Sequence, residues 1–192
     1  MSRITLRKLT TSDVDDLLAI NLNPDVTKYI PFMIQDRDTL LSWINGLGTT
    51  DHEFMILRHL SNNSNSCVDN SLVAEEQIIG ECSLDEYGEI GLMILPEYWR
   101  QGYGTDTVKQ LIQIAHDLGM KAVTAQTDPE NKACVGLLRS LGFTTKGMGW
   151  FIPEDAIYSR EAGLGMSRGM IFFSKNIAGR PEDDPVHTGS ID

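Results

Sequence analysis

The residue pattern predicts an α/β (α+β) domain, because strands and helices alternate along the chain while its middle strands read as an antiparallel meander. Three observations carry this. Ile4 and Leu6 alternate with polar residues and precede two amphipathic segments; Gln77–Leu84 and Glu89–Leu95 are strands joined by the turn-forming Asp85-Glu86-Tyr87-Gly88; and Ala122–Thr127 is a strand between two helical segments. At 192 residues, 41% of them apolar, the chain has the length of one domain and the material for a sizeable core.

Taken in order, the strand at Ile4–Leu6 gives way to a helix with Val14, Leu17 and Leu18 on one side, for which Thr11 or Ser12 is the expected cap. Asn23-Pro24 ends it, since the residue before proline disfavours the helical region. Asp36 caps a second helix bearing Leu40, Leu41, Ile44 and Leu47. Phe54–Leu57 is a short apolar run, and the polar stretch from Leu60 to Ser71 reads as a hairpin tip. Beyond the meander and Pro96, a helix over Thr105–Leu118 sets Val108, Leu111, Ile112, Ala115 and Leu118 on one face, with Gly119 placed to stop it. The segment reaching Leu141 is a helix that starts either at Asp128, with Pro129 in its first turn, or at Asn131. Thr144–Phe151 and Met170–Lys175 close the sheet, with a long loop containing Pro153, Gly163 and Gly165 between them. Residues 1–175 are therefore expected to form the domain, and the acidic 176–192 a disordered tail.

Composition excludes several classes. A formal charge of -11 argues against a nucleic-acid partner, which needs clustered Lys and Arg for its phosphates. It leans towards cationic substrates. No run approaches the roughly 20 apolar residues of a membrane span, and the amino terminus enters a strand pattern directly, so a soluble, cytoplasmic protein is expected. Cys67, Cys82 and Cys134 are odd in number and form no CxxC pair, which suits free thiols. The four histidines are scattered without ligand spacing, and no metal is expected.

The chemistry concentrates at Gly102-Tyr103-Gly104, between a strand and a helix, where backbone can come close to a phosphate facing a helix start. Two glycines alone are equally a turn. A dinucleotide fingerprint would need a third glycine where Thr107 stands, and a P-loop would need a Gly-Lys-Ser/Thr ending, so both drop out. A diphosphate site without either signature is left.

The run Glu89-Ile-Gly-Leu-Met-Ile-Leu-Pro-Glu-Tyr-Trp-Arg-Gln-Gly-Tyr-Gly-Thr105, followed by Asn131-Lys-Ala-Cys-Val-Gly-Leu-Leu-Arg-Ser-Leu-Gly-Phe143, resembles the GNAT acetyltransferase superfamily, and most closely its RimJ/RimL type. The resemblance extends loosely from Ile4 to Phe173. It implies a mixed, twisted central sheet whose fourth and fifth strands splay apart, flanked by helices. It implies acetyl-CoA as cosubstrate, with pantetheine bonding to backbone near Ile94 and Leu95, and with Gln101, Gly102, Tyr103, Gly104 and Thr105 giving N–H donors to the pyrophosphate. Asn131, by the same resemblance, contacts the pantetheine or the end of the cofactor.

Trp99 stands where the general pattern has Gln or Arg, an aromatic familiar in RimJ-like members. Leu138 stands where a tyrosine often protonates the departing thiolate, and leucine has no proton to give. Acetyl transfer needs a neutral amine, because an ammonium has no lone pair. Glu89, which resembles the position of the superfamily's catalytic glutamate, is the base candidate, and Glu81 on the neighbouring strand is the reserve. Cys134 replaces a serine common beside the cofactor sulfur and is the second catalytic candidate, otherwise a small apolar filler. Tyr87, Glu97 and Tyr98 are alternatives for an acceptor groove, and Trp150 and Phe151 for its wall.

The function implied is an acetyl-CoA-dependent N-acetyltransferase acting on an amine-bearing small molecule or a protein N-terminus. The missing tyrosine keeps a non-catalytic acyl-CoA sensor as the alternative. The acceptor half of such a site is built from variable loops, so its identity is open, as is a homodimer.

Overall fold

The computed structural model describes residues 2–30, 33–48, 50–60, 76–151 and 168–178. The expected hairpin tip beyond Leu60, nearly all of the 152–169 loop, and the tail beyond residue 178 lie outside the described residues, as do the side chains of Trp150 and Phe151.

Among the described residues, seven strands and five α-helices follow one another as β1 (Ile4–Lys8), α1 (Val14–Leu22), α2 (Pro24–Thr27), α3 (Arg37–Gly46), β2 (His52–His59), β3 (Glu76–Leu84), β4 (Ile90–Ile94), α4 (Tyr103–Asp117), β5 (Ala122–Thr127), α5 (Lys132–Ser140), β6 (Thr144–Phe151) and β7 (Arg168–Asn176). The strands form two antiparallel sheets, in the order β1-β2-β3-β4 and β5-β7-β6. Among the described residues a single parallel bridge, between Glu89 and Thr124, joins them, with the Thr124 N–H donating to the Gly88 carbonyl at 2.8 Å. Beyond that rung β4 and β5 part, which is the expected splay. No described helix is long and apolar enough to cross a membrane.

Local chemistry explains the entry to each helix. Asp13, not Thr11 or Ser12, organises the start of α1: its carboxylate reaches back to the N–H of Thr10 at 2.9 Å and the Thr10 hydroxyl at 2.8 Å, and takes both Arg7 nitrogens at 2.7 and 2.9 Å. A carboxylate at a helix start satisfies free N–H groups and meets the positive dipole end. Asn23 ends α1 and also caps α2, accepting from the N–H groups of Asp25 and Val26. Asp36 caps α3 as expected, through the Thr39 N–H at 2.8 Å. Asn131 decides the start of α5, its side-chain oxygen accepting from the Cys134 N–H at 3.1 Å.

The first sheet buries both faces. Phe54, Ile56, Cys82, Leu84 and Ile90 pack with Val108 and Leu111 of α4 and Leu138 of α5, while Met55 and Leu57 pack with Leu17 and Ile20 of α1 and Leu40 and Ile44 of α3. Each large aliphatic side chain so buried contributes about 1.5–3 kcal/mol. Leu118, expected on the packed face of α4, is half exposed because the helix ends at Asp117. At the other end of the domain Ile177 is buried and donates its N–H to Lys121 at 2.9 Å, so packing continues two residues past Lys175.

Strand alternation decides which face each remaining side chain takes. Glu53 shares its face with Met55, and Glu81 lies opposite Met55 in the register, so both carboxyl groups turn towards α1 and α3.

Candidate active site

The loop from Trp99 to Gly104 enters α4 through two left-handed residues, Arg100 (φ 61) and Gly102 (φ 87). Only glycine adopts such angles without strain, so Gly102 is there for the turn, whereas Arg100 stores strain of the kind found at binding loops. No side chain caps α4, a helix of 15 residues, and the N–H groups of its first turn face outward with the positive end of the dipole. That arrangement fits a diphosphate at Gln101, Gly102, Tyr103, Gly104 and Thr105. Arg3 of the β1 edge braces the loop, donating to the Gln101 carbonyl at 3.1 Å and to Asp106 at 2.6 Å, with its guanidinium over the Tyr103 ring at 5.1 Å.

Gly104 is glycine for another reason than close approach of a phosphate. A Cβ there would lie 3.2 Å from Leu137 Cδ2 and 3.6 Å from Leu92 Cδ2, so the position faces inward, between α5 and β4.

The backbone near the end of β4 divides the two residues expected to hold pantetheine. Leu95 donates its N–H to Ile79 on β3 at 2.9 Å and accepts from the Tyr98 N–H, so both its groups are engaged away from the fork. That is a correction to the expectation for Leu95. Backbone groups alternate in direction along a strand, so Leu92 and Ile94 turn theirs to the open edge facing β5. The carbonyl of Ile94 is taken by the Trp99 indole at 2.6 Å, leaving its N–H on that edge. Leu92, not anticipated from sequence, is the second residue there.

Glu89 sits at the fork itself, half-buried on the rung to Thr124. Gln126 of β5 donates to its Oε1 at 2.6 Å, and its own N–H is held by Asp85 at 2.7 Å, so the side chain bridges the two sheets. Cys134 is across the fork in the first turn of α5, half-buried and hydrogen-bonded with Thr127. Burial pushes its thiol up, against a smaller downward pull from Thr127, which keeps the proton on sulfur at neutral pH. Asn131 stands beside it, its oxygen spent on the helix cap. Leu138 is buried at the floor and carries no proton.

These groups open into one cleft of about 680 Å³ between the first sheet, α1–α3 and the fork. Glu89, Asn131 and Cys134 line it, and so do Glu53 and Glu81. Glu81 is 7% exposed; burial, together with the negative Glu53 beside it, pushes its carboxyl well above the usual range. Glu53 is raised by burial too, and the two carboxyl groups hydrogen-bond to each other. Glu53 was missed in the sequence because only Phe54–Leu57 read as a strand; the alternation Glu53, Met55, Leu57 is the signal that would have found it. Tyr87 is exposed on the β3–β4 turn, and Tyr98 is buried in the core against Tyr103. Neither they nor Glu97 line the cleft.

Residues 3–144 match the family model described as an acetyltransferase (GNAT) domain. The uncharacterized N-acetyltransferase p20 of Bacillus licheniformis is 31% identical over 160 residues, covering 76% of this chain and 82% of that protein. Among solved structures, a spermidine N-acetyltransferase from Vibrio cholerae, in complex with CoA and spermine, is similar with a TM-score of 0.71 at 18% identity, covering 93% of this chain and 98% of that one. A GNAT-family acetyltransferase from Bacillus anthracis is similar with a TM-score of 0.67 at 17% identity, covering 92% and 96%.

Proposed function

Because the chain belongs to the acetyltransferase (GNAT) domain family and is an N-acetyltransferase, we propose that it moves an acetyl group from acetyl-CoA to a primary amine, on a small molecule or a protein N-terminus, seated against Glu89. The observation that carries this reading is the position of Glu89: a carboxylate on the cleft wall, at the point where β4 and β5 part, oriented by Gln126 at 2.6 Å.

Bound acetyl-CoA supplies the activated acyl carbon and a thiol leaving group. The chain's own residues do the remainder. The start of α4 holds the diphosphate, and the N–H groups of Leu92 and Ile94 take the pantetheine along the open edge of β4. Glu89 removes a proton from the incoming ammonium and so restores its lone pair; the neutral amine then forms the C–N bond, the C–S bond breaks, and the second proton lost from nitrogen ends on the departing thiolate. Cys134 keeps its proton and donates a weak hydrogen bond to the departing sulfur, where Leu138 has nothing to offer. Trp99 at the loop entrance supports a RimJ/RimL-type assignment.

The test is direct: incubate the protein with acetyl-CoA and a panel of amines and N-terminal peptides, and follow free thiol. Release that depends on an amine is the expected result. Binding of acetyl-CoA without release on any acceptor would overturn the reading.

A further inference from the structure

The cleft holds more than Glu89 needs. On its inner wall, Glu53 of β2 and Glu81 of β3 share a hydrogen bond, and Asn21 of α1 stands with them. Asn21 is 2% exposed; its amide nitrogen donates to the Ile34 carbonyl at 2.9 Å, while its oxygen is buried with no partner among the described residues. A buried carbonyl oxygen left unpaired costs about 1–3 kcal/mol, and in a cleft it awaits a donor from a ligand. Among the described residues that line the cleft there are three glutamates and no Lys, Arg or His. Its oxygens accept hydrogen bonds, and Lys8, the cation that acts on Glu53, is not among the described residues of the wall.

We propose that this inner wall is a second-cation subsite: the acceptor is an aliphatic chain with two ammonium groups, one delivered to Glu89 and the other held by Glu53, Glu81 and the Asn21 oxygen. The proposal rests on the amine-acceptor reading above. Glu53 lies opposite Ser83, and Ser83 opposite Gly91, so Glu53 and Glu89 are two strands apart and offset by two residues. Strand spacing puts their Cα atoms about 12 Å apart. Met33, Trp43, Leu92 and Met93 lie among the walls and would flank methylenes.

An ammonium entering here also has a proton to displace. Burial and the neighbouring Glu53 favour the protonated carboxyl of Glu81; burial, and after it Asp51 and Asp85, push Glu53 up, while Glu81 and Lys8 pull it down. Glu89 just before β4, the Tyr29 phenol after α2 and the Cys134 thiol of α5 are the other ionisable groups among the described residues of the cleft wall. Binding the second ammonium favours the charged carboxylate and sends the proton to solvent.

The experiment is titration calorimetry on the full chain at neutral pH, with terminal diaminooctane and octylamine as probes, in phosphate and in Tris. The diamine is expected to bind about tenfold more tightly than the monoamine, with heats that differ between the buffers because a proton is released. Glu81→Gln, which keeps the shape of the side chain, is expected to bring the two amines within about threefold. Glu53→Gln is the second variant should the first fold poorly. Equal affinity in the wild-type protein overturns the subsite, and so does a preference that survives both variants. A diamine preference without any thiol release overturns acetyl transfer to amines and leaves the subsite standing; thiol release at equal kcat/KM for both amines does the reverse.

Discussion

At the scale of single residues, the proposed mechanism makes Glu89 the base and Cys134 a hydrogen-bond donor to the departing sulfur. General-base assistance is worth roughly 10²–10⁴-fold. Glu89→Gln is therefore expected to lower the rate by about that range near neutrality, and the deficit should shrink with rising pH, because an alkylamine of pKa about 10.4 becomes its own free base. Stopped assays across pH with one amine measure this, and a deficit independent of pH would remove Glu89 from the mechanism. Cys134 is tested by contrast. Serine keeps a donor at that place and alanine does not, so Cys134→Ser should retain most turnover while Cys134→Ala loses it with unchanged acetyl-CoA affinity. Equal rates in the two variants would make Cys134 packing and nothing more. The buried thiol is protonated at neutral pH, which suits a donor and not a nucleophile.

At the scale of elements, the loop and the helix it starts depend on two glycines for unlike reasons. Gly102 supplies a left-handed turn; Gly104 supplies room, with Leu137 only 3.2 Å from where a Cβ would stand. Gly104→Val is thus expected to cost about 1–3 kcal/mol of stability by wedging α4 from α5, with weaker acetyl-CoA binding as a consequence of the displaced helix. Denaturant unfolding and calorimetry on the same variant check both, and lost affinity at full stability would mean that the side chain meets the diphosphate instead. Helices and strands were legible in the sequence wherever apolar period and a capping residue coincided: Asp36 with Leu40 and Ile44, or Ala122–Thr127 between two helices. The start of α5 stayed ambiguous because Asp128 and Asn131 are both good caps, and only backbone geometry selects between them. The cap of α1 was misread because Arg7, six residues away on β1, recruits Asp13 into an ion pair. The inner wall was the least legible part of the site. Glu53 and Glu81 meet through the pairing of β2 with β3, a register set between segments far apart in sequence, and period alone does not announce a buried carboxylate.

At the scale of the whole molecule, two groups of carboxylates pull stability in opposite directions with pH. Asp13 is held below the usual range: burial, which alone would raise it, is outweighed by hydrogen bonds from Arg7 and Thr10. Its contribution is present above the unfolded carboxyl value and is lost as pH falls through the folded one. Glu53 and Glu81 are raised, so what they contribute is complete below the unfolded value, about 4.3, and is lost as pH rises through their folded values. Glu81→Gln should abolish much of that second loss. Its melting temperature is expected to match the wild type near pH 4 and exceed it near pH 8, and thermal melts across that range decide; a variant less stable at both ends would mean that the charged pair is a net support. The fork between the sheets has a further consequence. One rung at Glu89 and Thr124 holds β4 to β5, so the amides of Leu92 and Ile94 look onto an unzipped seam. In the free protein those two hydrogens should trade with deuterium quickly, while their neighbours Gly91 and Met93, facing β3, trade slowly. Bound acetyl-CoA would act as the missing strand between the sheets, slowing exchange at the first pair alone and making the protein's rigidity a function of its cosubstrate.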